Sequence, residues 1–412
     1  LDLEAAQERT DAHMDAIANL TMIHGAVEMG ITGSLCNIPE LVAAEAHPEK
    51  TEITTDDVFV ITGGARGVTA ECALALAERY CPTIVLMGRS PAPRTEPDWL
   101  TGQTCEAGIK RAVMENEFPG KLPSPAELET RYKAIVSNRE IIRTLERIGE
   151  AASAVRYVSV DVLDEDGVAT FLETVRKEYG KITGLVHGAG VLEDRFITDK
   201  NEAQFSRVFN TKVRGLENLL KATGRDHLKH LVLFSSIAAR TGNRGQVDYA
   251  MANEVLNKTA QAQARTRKGC RVVAVNWGPW EGGMVTPLLK NKFRQLGIDL
   301  VPLKGGAQSL IDEMETRGPV EVVIGGHLPP APGPKPRKKT ALSQAYKTQI
   351  GTGTYPVLDD HRIAGQPVVP FALMMEWYAH GAEHTNPGLC FAGIDDMRLL
   401  KGIKPGTASM DV

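Results

Sequence analysis

Lys212, Ser236, Tyr249 and Asn253 are the residues of this sequence whose types and spacing could carry a reaction. Tyr249 follows Ser236 by thirteen positions, Asn253 follows Tyr249 by four, and Lys212 precedes Ser236 by twenty-four. Reduction of a ketone by hydride puts negative charge on the carbonyl oxygen, which must be hydrogen-bonded and then protonated. A tyrosine is a suitable acid, but its ordinary pKa is about 10. A nearby ammonium favours the tyrosinate and lowers that value, which gives the lysine its role. The serine would orient the carbonyl and share its developing charge. The asparagine, one turn beyond Tyr249 on the same helix face, would hold the lysine or a relay water. Taken singly, each of these is an ordinary strand-end or helix residue; the set is what points to chemistry.

The same stretch of chain carries the marks of a dinucleotide site. A strand at Val58–Ile61 runs into Thr62-Gly-Gly-Ala-Arg-Gly-Val-Thr69 and then a helix. Gly63, Gly64 and Gly67 let the backbone turn tightly and approach a pyrophosphate at the positive end of that helix. The third glycine of the usual pattern is replaced by Thr69. The second strand ends in Met87-Gly-Arg-Ser90, where an NAD enzyme is expected to place an acid for the ribose hydroxyls. Arg89 there, with Arg66 in the glycine turn, favours the additional phosphate of NADPH. Asp161 ends the third strand, where an acid can meet the adenine amino group. Gly188-Ala-Gly190 ends the fourth, where small residues let a cofactor lie against the backbone.

These residues must be positioned by alternating strands and helices. Short runs rich in β-branched residues recur at Ile84–Met87, Ala154–Val160, Gly184–His187, His230–Phe234, Arg271–Val275 and Glu321–Ile324, mostly separated by helical patterns. The expected fold is α/β, a Rossmann-type doubly wound parallel sheet covered on both faces. Two segments interrupt the rhythm. Residues 91–150 form an insertion, proline-rich at first and then a long charged helix from Pro125 to Glu150. Residues 328–340 form a proline-rich interdomain linker. Residues 1–35 are expected to be one or two helices, from apolar positions at Ile17, Leu20, Ile23 and Val27.

Bulk composition excludes several alternatives. Apolar content of 42% and charged content of 24% over 412 residues are ordinary for a globular chain. A formal net charge of −4 gives no electrostatic reason to expect nucleic acid or an anionic membrane as partner. No apolar run is long enough to span a bilayer, and the six cysteines are scattered without a C-x-x-C pair, so neither a disulfide frame nor a metal site is expected. These features suit a cytoplasmic protein. The chain begins at Leu1 within a helical pattern and ends at Val412 without an evident stop, as a piece of a longer protein would.

The quartet resembles that of the short-chain dehydrogenase/reductase superfamily, and specifically the ketoreductase domains of type I polyketide and polyunsaturated-fatty-acid synthases. Ordinary superfamily members place the lysine four residues after the tyrosine, where this chain has Asn253. The synthase ketoreductases exchange the two positions, as Lys212 does here. Phe234-Ser-Ser-Ile-Ala238, Gly245-Gln246 and Asn276-Trp-Gly-Pro-Trp280 are similar to that family too, and the resemblance spans roughly Asp57 to Gly326. It implies reduction of a β-ketoacyl thioester, presented by an acyl carrier protein, to a β-hydroxyacyl thioester. It implies NADPH contacts from Gly63, Gly64, Arg66, Gly67 and Val68, from Gly88, Arg89 and Ser90, from Asp161 and Val162, from Gly188, Ala189 and Gly190, and from Pro279. Val191-Leu-Glu-Asp194 resembles the fingerprint of ketoreductases that give a 3R hydroxyl, with Asp194 as the diagnostic acid and Glu193 in place of the first one. The insertion is similar to that of polyunsaturated-fatty-acid and enediyne-type synthases.

Beyond the linker, His361, Gly365 and Pro370 fit the H-x-x-x-G-x-x-x-x-P motif of hotdog-fold dehydratases, with Phe371–Gly381 as the hotdog's central helix. Residues 341–412 are therefore expected to be the start of an incomplete hotdog (α+β) domain in which His361 occupies the catalytic position. Dehydration by so short a segment is not expected, because the family's acidic partner comes from a second hotdog. Residues 1–50 resemble the tail of an upstream structural half of the reductase. Other domains of a synthase are the expected partners. Two rival readings remain: a free-standing reductase of small ketones, and a catalytically silent scaffold segment.

Overall fold

The computed structural model describes residues 53–283, 298–325 and 347–385 continuously, with isolated short stretches elsewhere. The chain falls into two compact units, residues 1–329 and 330–412. The first is built on seven parallel strands: β4 (Val58–Thr62), β5 (Thr83–Gly88), β6 (Ala154–Ser159), β7 (Ile182–His187), β8 (His230–Ser236), β9 (Arg271–Trp277) and β10 (Glu321–Ile324). Their spatial order, β10-β9-β8-β7-β4-β5-β6, reverses direction between β4 and β7. That reversal is the switch point at which doubly wound sheets bind ligands beyond the strands' carboxyl ends. Every strand foreseen from the β-branched runs forms, in the parallel sheet expected.

Alternate residues of each strand feed two cores. Phe59, Ile61, Ile84 and Leu86 face α1 (Gly67–Tyr80) and α8 (Leu303–Met314). Val58, Val60, Val85 and Met87 face α4 (Glu165–Tyr179), α5 (Glu202–Ala222) and α7 (Val247–Thr266), with the single turn α6 (Ala238–Thr241) between β8 and α7. Because both faces are covered, the strands read as continuous apolar runs, and each fully buried Val, Ile or Leu contributes about 1.5–3 kcal/mol. Gly184 is required in β7: a Cβ there would lie 2.1 Å from the Phe59 ring.

The insertion has its own small core of Leu100, Ile109, Ala112, Val113 and Ile135, between α2 (Glu106–Glu117) and the first half of α3 (Pro125–Gly149). A capping box from Ser124 and Glu127, with Pro125 in the first turn, starts α3 sharply. Farther along α3, Ile141 and Ile148 join the main core. One long helix therefore serves both as the insertion's wall and as the crossover between β5 and β6.

The helical expectation for residues 1–35 is corrected where the structure describes them. β1 (Asp2–Leu3) pairs parallel with β2 (Gly30–Thr32), and β2 pairs antiparallel with β3 (Leu35–Asn37). β-branched Ile31 and Thr32 suit a strand better than a helix end. The four apolar positions that suggest the helix lie outside the described residues, as do the linker 328–340 and residues 341–346.

The second unit contains β11 (Gln349–Ile350) paired antiparallel with β14 (Met410–Asp411), and a tight hairpin of β12 (Arg362–Ile363) and β13 (Gln366–Pro367). Ala364 and Gly365, both at positive φ (51° and 78°), form the two-residue turn of that hairpin. α9 (Val357–Asp360) and α10 (Phe371–Thr385) complete it, with Ile350, Leu358, Val369 and Met374 as its core. A helix covers the Phe371–Gly381 stretch. The long sheet of a hotdog is not among the described residues.

Candidate active site

Three elements bring the quartet together at the carboxyl end of the sheet. Ser236 is the last residue of β8, Tyr249 and Asn253 stand in the first two turns of α7, and Lys212 projects from the middle of α5. The Lys212 ammonium is buried, 3% exposed, donates to the Phe234 carbonyl at 2.8 Å, and lies 5.5 Å from the centre of the Tyr249 ring. Asn253 Nδ2 donates to the Tyr249 carbonyl at 2.8 Å, while its buried Oδ1 has no partner among the described residues. A buried acceptor without a partner, one turn from Tyr249, is what a relay water would need.

Burial dominates the electrostatics of this cluster. Desolvation pushes the Lys212 ammonium down to about 7. It pushes the Tyr249 phenol up, partly opposed by hydrogen bonding from Ser236 and Asn253. His187 at the end of β7 is fully buried, and desolvation with the Lys212 charge lowers its pKa to about 3, so it stays neutral. Its Nε2 donates to the Lys212 carbonyl at 3.0 Å, leaving Nδ1 to accept from the Thr62 hydroxyl at 2.9 Å. A neutral imidazole thus ties the turn of α5 bearing Lys212 to the end of β4. Gly190 leaves room for the lysine, since a Cβ there would sit 3.1 Å from Lys212 Cε.

The glycine turn lies at the switch point. A Cβ on Gly63, whose φ is +71°, would come within 2.9 Å of the Gly188 carbonyl, and one on Gly64 within 2.6 Å of Ile61 Cγ2. Thr69 fills the space over Gly188, where a Cβ would lie 2.6 Å from the threonine methyl. The turn is therefore a backbone cradle with no room for a Cβ at Gly63 or Gly64, which fits an anionic nucleotide. Val68 lies against Gly283, which follows β9. Arg66 and Arg89 are exposed, and their guanidinium groups make no ion pair or hydrogen bond among the described residues. Tyr157 braces this end, donating its hydroxyl to the Ser90 carbonyl at 2.6 Å and crowding Gly88. Asp161 caps its own turn through Leu163 N at 3.0 Å, and the Val162 carbonyl accepts from Asn218 at 2.9 Å. The Pro279 carbonyl accepts from Val301 N at 2.8 Å. Asp194 accepts from Gln246 at 2.9 Å.

Several supporting residues carry no local signal in the sequence. The Ser235 hydroxyl shares its single proton between the Asn253 carbonyl at 3.1 Å and Asn276 Oδ1 at 3.0 Å, and Asn257 donates to that same Oδ1 at 3.0 Å. This buried network fixes α7 against β8 and β9. Glu140 of the insertion helix accepts from Gly67 N at 3.0 Å, bringing residues 73 positions apart to the glycine turn. No group of three or more potential metal ligands occurs among the described residues. No described helix is long and apolar enough to cross a membrane. His361 belongs to the second unit; it is exposed and its Nδ1 donates to the Val368 carbonyl at 2.8 Å.

A parallel sheet in this order, a glycine turn at its switch point and a serine–tyrosine–lysine cluster beside it define a reductase of the short-chain dehydrogenase type. Residues 58–282, more than half of the chain, match the KR domain family, and the chain belongs to that family of synthase ketoreductase domains. It is 33% identical over 385 residues to a polyunsaturated fatty acid synthase polypeptide of Thraustochytrium sp., covering 92% of this chain and 13% of that protein. It is 32% identical over 281 residues to the polyketide synthase PksL of Bacillus subtilis, covering 65% of this chain and 5% of that one. The chain thus spans a small fraction of the length of these relatives. Among solved structures it is similar to a ketoreductase from the first module of phoslactomycin biosynthesis in Streptomyces, with a TM-score of 0.60, 23% identity, and coverage of 79% of this chain and 65% of that one. A ketoreductase domain from the bacillaene assembly line gives a TM-score of 0.57 at 24% identity, covering 79% and 69%. These two likenesses speak to the fold alone.

Proposed function

We propose that this chain reduces a β-ketoacyl thioester, carried on the phosphopantetheine arm of an acyl carrier protein, to the 3R-hydroxyacyl thioester, using NADPH. The observation that carries this reading is the buried Lys212 ammonium beneath the Tyr249 ring, with Ser236 and the free Asn253 Oδ1 around it. Bound NADPH would supply the hydride. The chain's own residues do the rest. Ser236 and Tyr249 donate to the ketone oxygen, and Tyr249 passes its proton to that oxygen as the C–H bond forms. The Lys212 charge lowers the cost of the tyrosinate left behind, and a water held between Lys212 and Asn253 Oδ1 returns the proton.

The cofactor choice rests on Arg66 and Arg89, two unpaired cations beside the glycine turn and Ser90. Charge-assisted contacts to a phosphate are worth about 1.5–3 kcal/mol, so Arg89→Ala is expected to raise the KM for NADPH by roughly 10- to 100-fold. NADH, which lacks the phosphate, should be affected about threefold or less. Equal losses for the two would contradict the assignment.

Asp194, held by Gln246, supports the stereochemical reading. The helix α10 and the His361 motif support reading residues 341–412 as the start of a dehydratase-like hotdog. The Nδ1 contact of His361 leaves its Nε2 free to accept a proton. The likeness to synthases supports other synthase domains as partners. Steady-state NADPH oxidation tests the substrate class: a β-ketoacyl pantetheine thioester should be turned over with a higher kcat/KM than a simple ketone of the same acyl length. A preference for the simple ketone would favour a free-standing carbonyl reductase.

A further inference from the structure

Beside the proposed proton donor lies a second buried charge cluster that the reaction itself does not use. Lys200 and Asp248 form an ion pair at 2.6 Å whose side chains are 3% and 2% exposed. Each partner has a second contact. Asp248 Oδ1 accepts from the Tyr249 backbone N–H at 2.9 Å. Lys200 Nζ also donates to the Glu193 carbonyl at 2.7 Å, the residue immediately before Asp194. Two charges withdrawn from water are costly unless paired and hydrogen-bonded, so a pair in this place specifies geometry more than it adds stability.

The two ends of the pair belong to the two parts of the site that must be in register. Gln246, the residue before α7, supplies no side-chain cap, and Asp248 satisfies one of the N–H groups left open in the helix's first turn. The loop from Val191 to Lys200 follows β7 and carries Asp194. Glu193 pairs bidentately with Arg207 of α5 at 2.6 and 2.8 Å, Asp194 is held by Gln246, and Arg195 N donates to the Gly245 carbonyl at 2.9 Å. The two side-chain contacts among these are exposed to solvent. The Lys200–Asp248 pair is buried.

We infer that Lys200 and Asp248 are positioning residues: they clamp the loop bearing Asp194 to the first turn of the helix bearing Tyr249, and so fix which face of the ketone meets the hydride. This rests on the reading of Tyr249 as the proton donor. Loss of the clamp would leave cofactor binding intact, since the glycine turn and the two arginines are on other elements, but would let the ketone present either face.

The test is chiral analysis of the 3-hydroxyacyl product formed by the wild-type chain, Lys200→Met, and the paired Lys200→Met/Asp248→Asn. Removing one partner leaves a buried charge and risks misfolding, whereas the paired variant carries no uncompensated charge and keeps an acceptor for Tyr249 N–H. The expected result for the paired variant is a folded protein with the KM for NADPH within about twofold of wild type and a lowered kcat. Its minor enantiomer should rise roughly tenfold or more, the change produced by about 1.4 kcal/mol between two transition states. A folded, active paired variant with the wild-type enantiomer ratio would overturn the inference, even if kcat or the melting temperature had dropped. A wild-type chain that reduces no ketone would overturn the reading of Tyr249 and this inference with it.

Discussion

Tyr249→Phe is expected to reduce ketone turnover by about 10²–10⁴-fold, the range of a positioned general acid, with NADPH affinity unchanged. The phenol is the one group in the cluster that can both donate to the carbonyl oxygen and give up its proton there. Burial holds it protonated at neutral pH, and the Lys212 ammonium offsets the cost of its ionisation during transfer. Phenylalanine keeps the ring, and so the packing over Lys212, while removing only the hydroxyl. Isothermal titration with NADPH alongside single-turnover reduction separates the two effects. A variant that reduces the ketone at near wild-type rate would remove Tyr249 from the reaction.

Lys212→Met has the second large expected effect, and its sign differs between activity and stability. Activity should fall about 10²-fold or more, because the tyrosinate loses its charge partner. Stability should rise. The ammonium's pKa is about 7 in the folded chain against 10.5 when exposed. Between those values the unfolded chain holds a proton that the folded chain lacks, so wild-type stability increases as pH rises through that window. Below about 7 both states are protonated and the burial cost is felt in full. Methionine removes that cost, so the variant is expected to be more stable than wild type by about 2–4 kcal/mol at pH 6 and to lose the wild-type gain between pH 7 and 10. Denaturant unfolding at a series of pH values checks this. In the same window the wild-type rate should fall as pH rises above about 7, since the charged lysine is the working form. A pH-independent rate in wild type, or a less stable methionine variant, would contradict the assignment of a desolvated ammonium.

Much of this site is legible in the sequence because its signals are local. The glycine turn follows a strand and opens a helix within eight residues, and β-branched runs mark each strand. Tyr249 and Asn253 are spaced to share a helix face. Lys212 is assignable only through the family's exchange of lysine and asparagine, because nothing in its own segment distinguishes it from the neighbouring cations Lys221 and Arg214. The supporting shell is hidden for the same reason. Ser235, Asn257 and Asn276 meet across three elements, Glu140 reaches Gly67 from an insertion, and Lys200 meets Asp248 48 positions away. Such contacts are set by the sheet's order, which brings distant strand ends together, and leave no periodic trace in the chain. The N-terminal stretch differs in the opposite sense. The helical spacing at residues 17–27 does not continue through Gly30–Thr32, where β-branched residues and a glycine favour the strand that forms.

The proposed function requires hydride to pass from NADPH to the β-carbon of an acyl thioester in the cleft of Tyr249, Ser236, Lys212 and Asn253. Incubation of the chain with 4,4-dideuterated NADPH and a β-ketoacyl pantetheine thioester tests this directly. One deuterium is expected at the β-carbon of a 3R-hydroxyacyl product from wild type, and none from Tyr249→Phe over the same interval. A product without label, or equal labelling by the two proteins, would contradict that transfer.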